Sequence, residues 1–238
     1  MCLIYLILLE FTKEELRNLT IAFVVLTFCF SIATVGLNVE RILSILPIVM
    51  VSVVIGSLLH ELGHKFVAMK YGCLAEFKLW PLGLVIAVVS SFFGFVFASL
   101  GSLHISPENL SDEINGKISI AGPMANLGLA LIFIAIAALI YPLKIHSNVF
   151  HLIYLISAVG FSVNCFLATF NLFPIYSLDG TNVLKWNAGI WIVAIAIAGV
   201  MMIMVITIGA ENMVMFVMGA WITKNGLYNS DEKIVWWC

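Results

Sequence analysis

Ile42 to Tyr71 reads ILSILPIVMVSVVIGSLLHELGHKFVAMKY, and the reading of the whole protein turns on these residues. A chain needs about 20 mostly apolar residues to cross a hydrocarbon core about 30 Å thick, and this run exceeds that length. Inside lipid every backbone N–H and C=O must be satisfied within the segment, so the run predicts a transmembrane α-helix. Three ionisable residues, His60, Glu61 and His64, interrupt it within little more than one turn. Each such group costs about 2.5 to 3.5 kcal/mol to insert unless it has a partner, so a cluster of them marks a site.

Working outward, Leu19 to Leu37, Ile118 to Tyr141, Val149 to Leu172 and Ala188 to Ile208 are further candidate spans. Met213 to Ile222 is too short to span unaided. Of the 238 residues 63% are hydrophobic and 10% are charged, against about 25% charged in a soluble domain, which excludes a water-soluble globule. The sequence predicts an all-α polytopic membrane protein with about five to six transmembrane helices. Residues 1–238 read as one integral membrane domain, multi-pass in the cell membrane. A formal charge of −2 without a basic stripe excludes a nucleic-acid binder. Five cysteines without a CxxC pair argue against a disulfide framework, and they read as buried or lipid-facing thiols. The run Leu3 to Leu9 lacks a basic flank and a small-residue cleavage site, so no cleavable signal is expected.

Leu79 to Leu103 is apolar but broken by Pro81, Gly83, Gly94, Gly101 and several serines. Cytoplasmic loops carry the excess of Lys and Arg, which provides a test of whether it crosses. If it re-enters without crossing, Lys13, Arg17, Lys65, Lys70, Lys78, Lys117 and Lys185 share one side, against Arg41 and Lys144. If it crosses, Lys144 changes places with Lys117 and Lys185, and the bias weakens. The count favours re-entry and a cytoplasmic N-terminus.

His60-Glu61-Leu62-Gly63-His64 is an HExxH motif. At 100° per residue the two histidines lie about 40° apart on one helical face, one turn from each other, where both imidazoles can hold one Zn²⁺. Glu61 lies beside that face, placed to take a proton from a water that the metal activates. Catalytic zinc sites use three protein ligands and keep a fourth position open. Asp179, in NLFPIYSLDG from Asn171 to Gly180, is the best-placed third ligand, because Pro174 breaks the helix there and the re-entrant topology returns this segment to the HELGH side. Its alternative is an N-cap for a short helix beginning near Thr181.

HELGH on one span, Gly122-Pro-Met-Ala-Asn126 opening the next true span and the NxxPxxxxDG pattern ending at Gly180 together resemble the site-2 protease family of intramembrane zinc metalloproteases (peptidase family M50). The resemblance covers roughly residues 42–187, the expected catalytic core. The run Trp80-Pro-Leu-Gly83 followed by Ser91-Phe-Phe-Gly94 is similar to archaeal members. The resemblance implies a zinc-dependent endopeptidase that cleaves within or near a transmembrane segment of a membrane-protein substrate in the lipid bilayer. His60, His64 and Asp179 would be the ligands and Glu61 the general base. Asn171 and Asn126 would hold the substrate strand or the developing oxyanion; for both, interhelical hydrogen bonding is the alternative. The family often carries a re-entrant β-hairpin after the HExxH helix, and Leu79 to Leu103 occupies that place, although Leu84 to Val89 fits a short helix equally. No insertion is long enough for a PDZ module, and no CBS pair follows the core.

Two other classes compete. A prenyl-protein peptidase would need a late glutamate, for which Glu211 is the candidate, and a metal or proton transporter would use the same buried groups without needing a general base. The remaining histidines, His104, His146 and His151, have no ligand spacing and read as interfacial. So do Trp186, Trp191, Trp221, Trp236 and Trp237, whereas Glu211 and Asn212 read as a turn. Gly56, Gly63 and Ser52 read as close helix packing around the motif. Substrate identity and oligomeric state have no signature in the sequence.

Overall fold

The computed structural model describes residues 11–99, 101–106, 110–175 and 178–209. The readings placed on Leu3 to Leu9, Glu211, Asn212, Met213 to Ile222 and the last three tryptophans lie outside these residues.

Helix α1 spans Lys13–Val35, begun by Thr12, whose hydroxyl accepts from the Glu15 backbone N–H. It stops at Gly36, where φ is +70°, a conformation glycine adopts without steric cost. Asn38 caps α2, Val39–Lys70, which carries the HExxH motif two-thirds of the way along. Strand β1 (Leu74–Leu79), helix α3 (Pro81–Ser91) and strand β2 (Gly101–Ser106) follow. Helix α4 (Asp112–Ile140) starts at the Ser111 cap and leads through a short 3₁₀ turn, Tyr141–Leu143, to α5 (Asn148–Asn171). The short α6 (Asp179–Trp186) and the apolar α7 (Ala188–Ile208) complete the described chain.

Five of these helices are long and apolar enough to cross a membrane: α1, α2, α4 with its 3₁₀ extension, α5 and α7. The expected all-α polytopic architecture holds, with one small sheet. Leu131, Leu139, Val85, Ile192 and Ile203 are exposed, as suits side chains that face lipid.

The segment between α2 and α4 resolves the choice between hairpin and helix by being both. β1 and β2 pair antiparallel from Leu74↔Ser106 to Leu79↔Gly101, so the chain leaves and returns at the same level. Between them sits α3, whose 11 residues cover only about 16 Å at 1.5 Å per residue, too little to span. Pro81 stands at its first position, where the missing N–H costs nothing. The strands extend past the expected bounds of 79 and 103 on both sides, because ladder pairing satisfies polar backbone that the apolar pattern alone could not place.

The core has two main parts. Leu19, Leu26, Val53, Phe77, Ala87 and Leu167 bind α1, α2, the sheet, α3 and α5 together, and Phe133, Tyr154 and Phe161 lock α4 to α5. A buried ion pair, Lys65 Nζ to Glu15 Oε2 at 2.6 Å, ties α2 to α1. The other Glu15 oxygen accepts the Phe77 N–H at 3.0 Å and so anchors β1. Cys29, Cys73 and Cys165 are free and buried, as expected.

Candidate metal centre

The helical spacing brings His60 and His64 together on α2, their Nε2 atoms 3.0 Å apart. Asp179 arrives from the far end of the chain: its Oδ2 lies 3.3 Å from Nε2 of His60 and 3.3 Å from Nε2 of His64. One ligand atom from each residue falls within 4.8 Å of the others, the arrangement of a three-ligand metal site. Asp179 is the first residue of α6, whose N-cap is Leu178, and its carboxylate turns to the histidines instead of capping a helix at Thr181.

The outer nitrogens test whether the site suits zinc. Nδ1 of His64 is 2.8 Å from the Ile118 carbonyl, which can only accept, so Nδ1 carries a proton, and in the neutral ring Nε2 is the nitrogen left to bind a metal. Nδ1 of His60 lies 2.6 Å from Oδ1 of Asn126, with the same consequence. Metal-binding histidines almost always donate their other N–H in this way. Two imidazole nitrogens and one carboxylate oxygen within reach of a single ion fit the three-ligand donor set of a catalytic zinc site.

Local sequence explains how Asp179 gets there. Gly180 packs onto the Leu172 and Phe173 carbonyls so closely that any β-carbon would collide with them. Asn182 Nδ2 donates to Ser119 Oγ at 3.0 Å, fastening α6 to α4, and Trp191 Nε1 donates to the Leu172 carbonyl at 2.8 Å. Gly56 and Gly63 serve the close packing expected of them, against Asn164 and the Ala121 carbonyl, and Ser52 Oγ reaches the Ile156 carbonyl at 3.2 Å.

A cavity of about 60 Å³ opens beside the site, lined by Ser57, His60, Glu61, Phe77, Gly101 and Asn171 among others. Glu61 Oε2 and Ser57 Oγ are buried without a hydrogen-bond partner among the described residues. Asn171 borders this cavity and spends one amide hydrogen on the Leu167 carbonyl at 2.9 Å. Asn126, which the resemblance makes a substrate contact, lies fully buried between helices, against His60, the Gly56 carbonyl and Asn164. His104, His146 and His151 are exposed and take no part. Sequence reading missed Asn164, Ser57 and the Glu15 to Lys65 pair; an asparagine in mid-span was the one signal that could have exposed the first.

No family model matches the chain, and no solved structure matches it. Two proteins of Methanocaldococcus jannaschii do. One, named "Putative zinc metalloprotease MJ0611", is 37% identical over 199 residues, 82% of this chain and 96% of its own length. The other, named "Zinc metalloprotease MJ0392", is 25% identical over 157 residues, 66% of this chain, which spans only 39% of that protein. The extent of the first match shows that the chain belongs to the same family of zinc metalloproteases.

Proposed function

We propose that this protein is an intramembrane endopeptidase of the site-2 protease type, cleaving a peptide bond within or near a transmembrane segment of another membrane protein. The observation that carries the reading is the trio His60, His64 and Asp179 packed against an unpartnered Glu61 oxygen at a cavity inside a bundle of membrane-length helices. Zinc, when bound, would polarise the scissile carbonyl and lower the pKa of water.

His60, His64 and Asp179 are the residues that would hold it. Glu61, with one oxygen free in the cavity, takes the proton of the attacking water and hands it to the departing amine. Asn171 borders the same space, where its amide can donate to the developing oxyanion or accept from a substrate N–H. The substrate must enter as an extended strand, because a helix hides its carbonyls in the i to i−4 ladder. The β1/β2 sheet beside the cavity suits such a strand, since Phe77 and Gly101 belong to both. With the lysine bias, the N-terminus and the hairpin side of the bundle face the cytoplasm.

The test uses purified full-length protein in liposomes with a generic single-span substrate. Cleavage inside the span should require zinc, stop with a chelator and be lost in His60→Ala, His64→Ala and Asp179→Ala, each of which should also weaken zinc binding. Cleavage confined to soluble peptides would overturn the intramembrane reading and leave the metalloprotease family intact. Full zinc affinity in Asp179→Ala would remove Asp179 from the ligand set.

A further inference from the structure

Behind the two histidine rings a polar chain crosses three helices. Asn126 on α4 accepts from His60 Nδ1 on α2 at 2.6 Å. Its Nδ2 donates to the Gly56 carbonyl at 3.0 Å and to Oδ1 of Asn164 on α5 at 2.9 Å. Asn164 Nδ2 in turn donates to the Gly160 carbonyl of its own helix at 2.8 Å. Both asparagines are completely buried. A β-carbon on Gly56 would come within 3.0 Å of Asn164 Oδ1, so α2 passes this point without a side chain to hold the helices apart.

The direction of every bond in this chain follows from the groups at its ends. The Gly160 carbonyl can only accept, so the Asn164 nitrogen faces it and the Asn164 oxygen faces Asn126. The Gly56 carbonyl and Asn164 Oδ1 are both acceptors, so the Asn126 nitrogen faces them and its oxygen faces His60. Nδ1 of His60 must then be the donor, which in the neutral ring leaves Nε2 to serve as the ligand atom on the side of His64 and Asp179. Asn164 stands two hydrogen bonds from the metal ligands on a helix that supplies none of them.

We infer that Asn164 is a positioning residue of the metal centre: by fixing the direction of the Asn126 amide it holds His60 with Nε2 turned toward His64 and Asp179. The inference rests on the zinc reading above and adds to it a residue outside the motifs that identify the site. A merely structural asparagine, joining α4 to α5, would affect stability and leave metal affinity alone.

The experiment measures zinc affinity of the purified full-length chain by competition with a chromophoric chelator, the visible spectrum of the Co²⁺-loaded protein, and the unfolding temperature. Outer partners of metal ligands are worth about 10- to 100-fold in affinity, so Asn164→Ala should weaken zinc about tenfold and alter the cobalt bands. Asn164→Asp, which still offers an oxygen to Asn126 Nδ2, should recover most of the affinity. In an Asn126→Ala background Asn164→Ala should cost nothing further, because its effect passes through that amide. Should Asn164→Ala fail to fold, Asn164→Ser provides the same reading: its shorter side chain can bond back to its own helix but loses Asn126. Unchanged affinity and cobalt spectrum with a lowered unfolding temperature would overturn the inference while the zinc reading stands. Equal losses in both backgrounds would overturn it too. A wild-type chain that binds no zinc would overturn both.

Discussion

Gly122 on α4 lies so close to His64 on α2 that a β-carbon there would collide with Nε2 of His64. This contact is what lets α4 bring the Ile118 carbonyl and the Asn126 amide against the outer nitrogens of the two rings. Gly122→Ala should therefore displace the rings, weaken zinc at least about tenfold and cost about 1 to 3 kcal/mol of stability through overpacking. Gly128→Ala on the same helix, where a β-carbon meets nothing within 4 Å, is the matched control and should leave both unchanged. Zinc competition and thermal unfolding read the pair; equal zinc affinity in the two variants would refute the steric argument.

Glu61→Gln keeps size and shape while removing the base. Zinc should bind at wild-type stoichiometry, whereas cleavage should fall about 10²- to 10⁴-fold. Because Glu61 Oε2 has no hydrogen-bond partner among the described residues, the neutral amide should not lower the unfolding temperature. Wild-type turnover in this variant would eliminate Glu61 as the base.

The pair Glu15 and Lys65 should show strong non-additivity. Each is almost wholly buried, at 1% and 5% exposure, so removing one partner strands a charge and should cost about 3 to 5 kcal/mol. Glu15→Leu with Lys65→Met should cost less than either single change, since neither charge is then left alone. Unfolding in detergent measures all three; simple addition of the single effects would contradict this account.

Antiparallel pairing of Leu74 with Ser106 implies that the segment 74–106 begins and ends on one side of the membrane. Single cysteines at Lys78 and Ser111 in a cysteine-free background should label from the same face with a membrane-impermeant thiol reagent. Labelling from opposite faces would overturn the re-entrant topology.

Substrates should be cut faster where their span unwinds easily. Replacing a Gly or Pro near the cut by Leu raises the cost of unwinding by about 1 kcal/mol for Gly and about 3 for Pro, slowing cleavage about fivefold to about a hundredfold. Uniform poly-Leu spans cut as fast as Gly-containing ones would rule out presentation as a strand.

The spans and the pairing of His60 with His64 were legible in the sequence alone, because both follow from local rules: a run of apolar residues long enough for a bilayer and two ligands one helical turn apart. Asp179 was legible at one remove, through the helix break at Pro174 and the lysine bias. The hairpin was ambiguous for a physical reason, since Leu84 to Val89 does form a helix and only the long-range ladder between Leu74 and Ser106 shows that strands flank it. Other features had no local signature at all. The proton on each histidine, the Glu15 to Lys65 pair, the orphaned Glu61 oxygen and the Asn126 to Asn164 relay each depend on which atoms from distant helices meet in the buried interior. A hydrogen-bond partner there is set by packing and not by sequence spacing, so tertiary structure alone decided them.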